Sequence, residues 1–206
     1  MSALQHDPHD HGALLAGRKI DAVVIGASAG GIDALLRILP ALPGKFGFSV
    51  TVVLHLPDDR DSRLAEVFQQ RLPMPVRQAG DKMTVAPGTV YFAPPGYHLS
   101  VERDFTFSLS QEDPVHFSRP AIDMLMESAA DAYGKRLAGI LLTGASADGA
   151  AGMARIGACG GLTVVQDPGD AEIATMPAAA IRLRAPDCVL SVPEIRVLMT
   201  AMMENK

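Results

Sequence analysis

The chain has 206 residues, of which 48% are hydrophobic and 20% charged, and a net charge of −5. That length and apolar content describe one folded domain with its own core rather than a disordered segment, and the acidic balance argues against nucleic acid as a partner. Two cysteines, Cys159 and Cys188, make no disulfide framework and suit a reducing cytoplasm, while no apolar run reaches the ~20 residues of a membrane span.

The first 19 residues carry His6, Asp7, His9, Asp10 and His11 and no apolar signal-peptide core. They are expected to form a flexible, solvated tail, with adventitious metal binding as the alternative. Residues 21–25 then read as a strand and 30–41 as a helix ending near Pro43-Gly44. Residues 49–54 read as a second buried strand that stops just before His55. A helix is expected over 61–72, capped by Asp61 or Ser62 and stopped by Pro73. From Val76 to Leu109 the texture changes to Pro-Gly turns and short alternating runs (89–93, 98–102, 105–109), and Glu102-Arg103-Asp104 between the last two suggests a β-hairpin. A helix of about 14 residues follows Arg119-Pro120, with Ile122, Leu125, Met126 and Ala129 on one face. Strands are expected at 137–142, 162–165 and 187–190, with helices starting near Asp148-Gly149, over 177–182 and after Pro193. Met124, Met126, Met199, Met202 and Met203 fit helix faces better than a cofactor box. Arg119 is expected in a salt bridge at the helix start, and Glu172 with Met176-Pro177 either edges a cleft or forms a plain surface loop.

Apolar strands alternating with helices imply a three-layer α/β/α domain over residues 20–206. Its sheet would be mostly parallel and doubly wound, with about seven strands and an added β-hairpin region. Ligands in such sheets bind beyond the carboxyl ends of the strands. Ser28, His55 and Asp148 each follow an expected strand, so all three fall on that edge. Ser28 lies in Gly26-Ala27-Ser28-Ala29-Gly30, a tight strand-to-helix turn with the layout of a nucleophile elbow. A serine needs a base to take its proton. His55 has the pKa range for that work, and Asp148 would hold the imidazole tautomer. A structural histidine at a strand end and a helix N-cap aspartate are the plainer alternatives.

Several further stretches, taken with these, resemble the catalytic domain of the CheB family of chemotaxis protein-glutamate methylesterases. They are Leu54-His55-Leu56-Pro57, Gly80-Asp81-Lys82-Met83, Pro87-Gly88-Thr89-Val90-Tyr91-Phe92-Ala93-Pro94, Phe117-Ser118-Arg119-Pro120-Ala121-Ile122-Asp123 and Leu142-Thr143-Gly144 with Asp148-Gly149-Ala150-Ala151-Gly152-Met153. The resemblance covers residues 20–200. It implies a cytoplasmic serine hydrolase without metal or organic cofactor, acting on methylated glutamates of chemoreceptor cytoplasmic helices through Ser28, His55 and Asp148. Receptor glutamine deamidation by the same acyl chemistry is implied too. Oxyanion and pocket candidates are Ala29, Gly30, Ala145 and Ser146. The sequence departs from the family pattern at Ala29, where threonine is usual, and at Ala145-Ser146, where Met-Gly is usual. Only about 19 residues precede the first strand, too few for the family's receiver domain. The expectation is therefore a stand-alone esterase or a catalytic part trimmed from a longer protein. A catalytically weak binding domain and a small-molecule carboxylesterase stay open as other readings.

Overall fold

The structure, a computed structural model, describes residues 11–55 and 63–204. A short helix α1 (His11–Leu15) leads into β1 (Ala22–Ala27), α2 (Gly31–Ile38) and β2 (Ser49–Leu54). Then come α3 (Leu64–Gln69), β3 (Val76–Gln78), β4 (Val90–Phe92), β5 (His98–Val101) and β6 (Phe107–Ser110). The chain continues through α4 (Ile122–Tyr133), β7 (Leu137–Leu141), α5 (Ala150–Ala158) and β8 (Leu162–Gln166). It closes with α6 (Thr175–Leu183), β9 (Cys188–Leu190) and α7 (Val192–Glu204). Pro193 sits in the first turn of α7, where a missing N–H costs nothing.

Seven strands form one sheet in the order β3-β4-β2-β1-β7-β8-β9, and every pairing in it is parallel. β5 and β6 form a separate antiparallel pair. The central strands β1, β2 and β7 are buried along their whole length, as expected when helices cover both faces. Side chains of β1 alternate between the two layers. Val23 and Ile25 join a core with Leu35 and Ile38 of α2 and Ile195 and Met199 of α7. Ala22 and Val24 join one with Leu125 and Met126 of α4, Met153 of α5 and Phe107 of the hairpin. The order reverses at β1: β2 lies on one side and β7 on the other. The loops that leave β1 and β7 therefore diverge and open a crevice between them, the place where doubly wound sheets bind ligands.

Three sequence expectations change. The run 89–93 contributes β4, which pairs with β2 and β3 inside the main sheet, and Val76–Gln78 adds an edge strand that the sequence pattern does not announce. The hairpin expected around Glu102-Arg103-Asp104 is β5 and β6. The helix over 61–72 is described only as Leu64–Gln69, and its suggested caps Asp61 and Ser62 lie outside the described residues. The expected tail is also outside them up to residue 10, but α1 follows at once and Leu15 is buried in the core. The chain therefore joins the fold before Lys19.

Gly26 decides how closely α4 approaches the sheet. A methyl group at its Cα would collide with Ile122 of α4 and stand 2.9 Å from Leu141 Cδ1. Both neighbours are fully buried, so neither has room to yield. Gly26→Ala is expected to destabilise the fold by about 1–3 kcal/mol, read as a lower urea midpoint with an unchanged m-value.

Candidate active site

Ser28 follows β1 directly. Its N–H donates to the Thr143 carbonyl at 3.0 Å, and its own carbonyl accepts from Gly31 N–H at 2.8 Å. Gly30 takes φ 77°, a left-handed turn that swings the chain into α2. Ser28 is left half-buried in a cleft of about 530 Å³, with Ala29, Gly30, Ile32, His55, Ala145 and Ser146 on its walls. Gly144 has no side chain for a specific reason: a Cβ there would stand 2.9 Å from that of Ser28. The loops after β1 and β7 can thus touch.

His55 lies one residue beyond β2, and its N–H donates to the Ala27 carbonyl at 3.0 Å, which fixes it beside Ser28 in the strand register. Its Nε2 is 2.9 Å from Oδ2 of Asp148. This is a close ion-pair contact, and Nε2 has no other partner among the described residues. The other nitrogen, Nδ1, faces the cleft at 3.5 Å from Ser118 Oγ. With Nε2 on the carboxylate, Nδ1 is the nitrogen on the Ser118 side.

Asp148 is wholly buried. It does not cap its own helix. It reaches across to the start of α4, where Oδ2 accepts the Ile122 N–H at 2.7 Å and Oδ1 accepts the Asp123 N–H at 2.9 Å. No side chain of Ala121 caps α4, so Asp148 serves as its cap from 26 residues away. Burial alone would raise the Asp148 pKa. The contact with His55 and the N–H groups of Asp123 and Ile122 outweigh it and hold the carboxyl below its usual range. Asp148 is therefore an anion at neutral pH.

A second carboxylate, Asp123, sits beside it. Its Oδ1 accepts Gly152 N–H at 2.7 Å, and its Oδ2 is 3.4 Å from His116 Nε2. Burial pushes the Asp123 pKa up to about 6; the neighbouring charges of Asp148 and Glu127 push the same way, against Gly152 N–H and His116. His116, Asp123 and Asp148 bring ligand atoms within 4.8 Å of one another. Both Asp148 oxygens are already engaged by backbone N–H groups, so the cluster reads as charge sharing behind the cleft.

All seven residues named from the sequence line this cleft or back it. Ala29, Gly30, Ala145 and Ser146 line the cavity, and their backbone N–H groups donate to no described residue. Ser146 has a further job: its Oγ accepts the Asp148 N–H at 3.3 Å. Sequence reasoning missed the supporting residues. Thr143 Oγ1 donates to the Ala29 carbonyl at 2.9 Å and accepts Ile173 N–H at 2.9 Å. Gln166 Oε1 receives Thr143 N–H at 2.8 Å. Buried polar side chains just past apolar strands are the signal that marks both. Arg119 makes no salt bridge among the described residues; its Nη1 donates to the carbonyls of Gln111 and Glu112. His98 is structural, with Nδ1 accepting the Ala121 N–H at 3.2 Å and Nε2 3.1 Å from the Asp113 carbonyl. The Glu172 side chain packs over Gly30, while buried Met176 lies against Gly144, so both border the Ser28 turn.

Comparison with known proteins points one way. Residues 23–199 match the family model for CheB methylesterase. A relative from Leptospira interrogans is 44% identical over 185 residues, which cover 90% of this chain and 96% of the relative. A protein-glutamate methylesterase/protein-glutamine glutaminase of Hahella chejuensis is 37% identical over 84% of this chain, but the match spans only 48% of that longer protein. The crystal structure of the Thermotoga maritima CheB methylesterase catalytic domain superposes with a TM-score of 0.83 at 31% identity, covering 90% of this chain and 98% of that one.

The raised pKa of Asp123 carries a stability cost. The folded state holds this proton more tightly than the unfolded chain, so its contribution is most favourable below about pH 4 and is lost as pH rises through about 6. The loss is on the order of 2–3 kcal/mol. Asp123→Asn keeps the acceptor for Gly152 and removes the charge. It should raise the melting temperature at pH 8, with the gain shrinking towards pH 4.

Proposed function

The chain belongs to the CheB methylesterase family, and on that footing we propose that it removes methyl esters from glutamate side chains of chemoreceptor cytoplasmic helices, with Ser28 as nucleophile. The observation that carries this reading is the buried His55–Asp148 contact at 2.9 Å in the cleft that Ser28 lines. Ser28 Oγ attacks the γ-carbonyl of the glutamyl ester while His55 Nδ1 takes its proton. Asp148, kept anionic by α4, holds the Nε2–H tautomer and stabilises the imidazolium. The carbonyl oxygen becomes an oxyanion facing the free N–H groups of Ala29, Gly30, Ala145 and Ser146, and one such donor is typically worth ~10²–10³ in turnover. His55 then protonates the departing methoxide and methanol leaves. Water, activated by the same Nδ1, opens the acyl-enzyme and restores Ser28 with a free glutamate.

A side-chain amide meets the same groups in the same order, with ammonia as the leaving group, so glutamine deamidation follows from the same site. The position of histidine Nδ1 on the cleft side, with Nε2 on the carboxylate, reverses the nitrogen roles of the Ser-His-Asp template while keeping its logic. No described helix is long and apolar enough to cross a membrane.

Methanol release from methylated chemoreceptor membranes tests the proposal. Wild type should release methanol, and Ser28→Ala should cut the rate by roughly 10³-fold or more while keeping the wild-type melting temperature. A fluorophosphonate probe should label wild type and leave Ser28→Ala unlabelled. A folded, unlabelled wild type that releases no methanol would instead favour a binding domain.

A further inference from the structure

Phe117 is wholly exposed, at 102% of its reference area, and it stands beside the active site. It occupies a two-residue turn between Val115 and Ser118, closed by hydrogen bonds of 3.2 and 2.9 Å in the two directions. Both turn residues have left-handed backbones, His116 at φ 48° and Phe117 at φ 62°. Such turns favour Asn-Gly, because a side chain at positive φ crowds its own carbonyl. Here an aromatic residue takes the glycine position and buries nothing in return. The turn is nevertheless firmly tied. His116 pairs with Asp123, Ser118 Oγ lies 3.5 Å from His55 Nδ1, and Arg119 holds the carbonyls of Gln111 and Glu112. A strained turn therefore fixes a large apolar ring in water, one residue from a wall of the cleft.

We propose that Phe117 is a docking residue for the substrate protein, packing against the apolar stripe of the receptor helix that presents the methylated glutamate. The inference rests on the receptor reading above and deepens it. A glutamate whose ester enters the cleft past Ser118 leaves its helix backbone outside. On a helix, residues three and four positions away share the face of that glutamate. The turn that carries Phe117, one residue from Ser118 in the cleft wall, is placed to meet a neighbour on that face. Ile32, 42% exposed on α2, lines the same cleft and offers a second apolar contact. A small ester reaches Ser28 without needing Phe117, which lies outside the cleft lining. Phe117 therefore separates protein substrates from small ones, acting on KM rather than on the chemistry.

The test compares methanol release from methylated receptor membranes with hydrolysis of a short aryl ester. Phe117→Ser should lower kcat/KM on receptor about tenfold, mainly through KM, and leave aryl-ester hydrolysis within about twofold of wild type. Phe117→Leu should recover most of the receptor activity. Phe117→Gly should lose as much receptor activity as Phe117→Ser while unfolding at a higher temperature, because glycine adopts φ 62° freely. Unchanged receptor kinetics in Phe117→Ser would overturn the proposal. So would an equal loss on both substrates, which would make the ring a support for the catalytic loop. A wild type that hydrolyses the aryl ester but no receptor would overturn the receptor reading itself, and the docking role with it.

Discussion

The contact between Asp148 and the first turn of α4 joins the fold to its chemistry. A helix start leaves N–H groups without partners, and a buried carboxylate without partners is costly. Each solves the other's problem here: both oxygens of Asp148 accept from α4, at Ile122 and Asp123. The carboxylate is ionised and immobile before any substrate arrives, which is the condition for preorganised electrostatics. Gly26 belongs to the same arrangement, since only a glycine in β1 lets Ile122 come close enough for the helix start to face Asp148. Packing between α4 and the sheet and the ionisation of Asp148 are therefore one constraint.

The sheet supplies the remaining geometry. Ser28 leaves β1, His55 leaves its neighbour β2, and the loop carrying Asp148 leaves β7 on the other side of β1. The three groups thus start from adjacent strands, about 5 Å apart in the pairing direction, and converge where the strand order reverses. Thr143 locks this convergence. Its carbonyl receives Ser28 N–H, its hydroxyl reaches the Ala29 carbonyl, and its N–H ends on buried Gln166.

Much of this was legible in the sequence, because strand ends are local features. The boundaries of β2 and the placement of Ser28 and His55 just past apolar runs could be read directly. Their common edge followed from the rule for parallel sheets. Pairing was less legible. Val76–Gln78 and Val90–Phe92 are three-residue strands, too short to show a period, and they pair in parallel with each other across Pro-Gly turns that look like hairpin punctuation. The supporting shell was hidden for a related reason. His116 and Asp123 meet through a turn with two left-handed residues, neither of them glycine, so nothing in the composition announced it. Which imidazole nitrogen faces the carboxylate depends on ring orientation alone, and no residue spacing encodes that.

The departures from the family pattern fall where they disturb the proposed chemistry least. Ala29 loses a hydroxyl, yet an oxyanion donor at this position would be the backbone N–H, which any residue but proline supplies. Ala145 and Ala29 are both exposed on the cleft rim, so exchanging a longer side chain for a methyl widens the entrance without touching Ser28, His55 or Asp148. Ser146 replaces a glycine and gains a hydroxyl that accepts the Asp148 N–H, tightening the turn that carries the carboxylate. Under the proposed docking role, contacts further out than this rim select the substrate. An exposed Phe117 on a rigid turn supplies such a contact. On this view selectivity moves from the cleft wall to its outer edge, while the acyl-transfer machinery keeps its geometry.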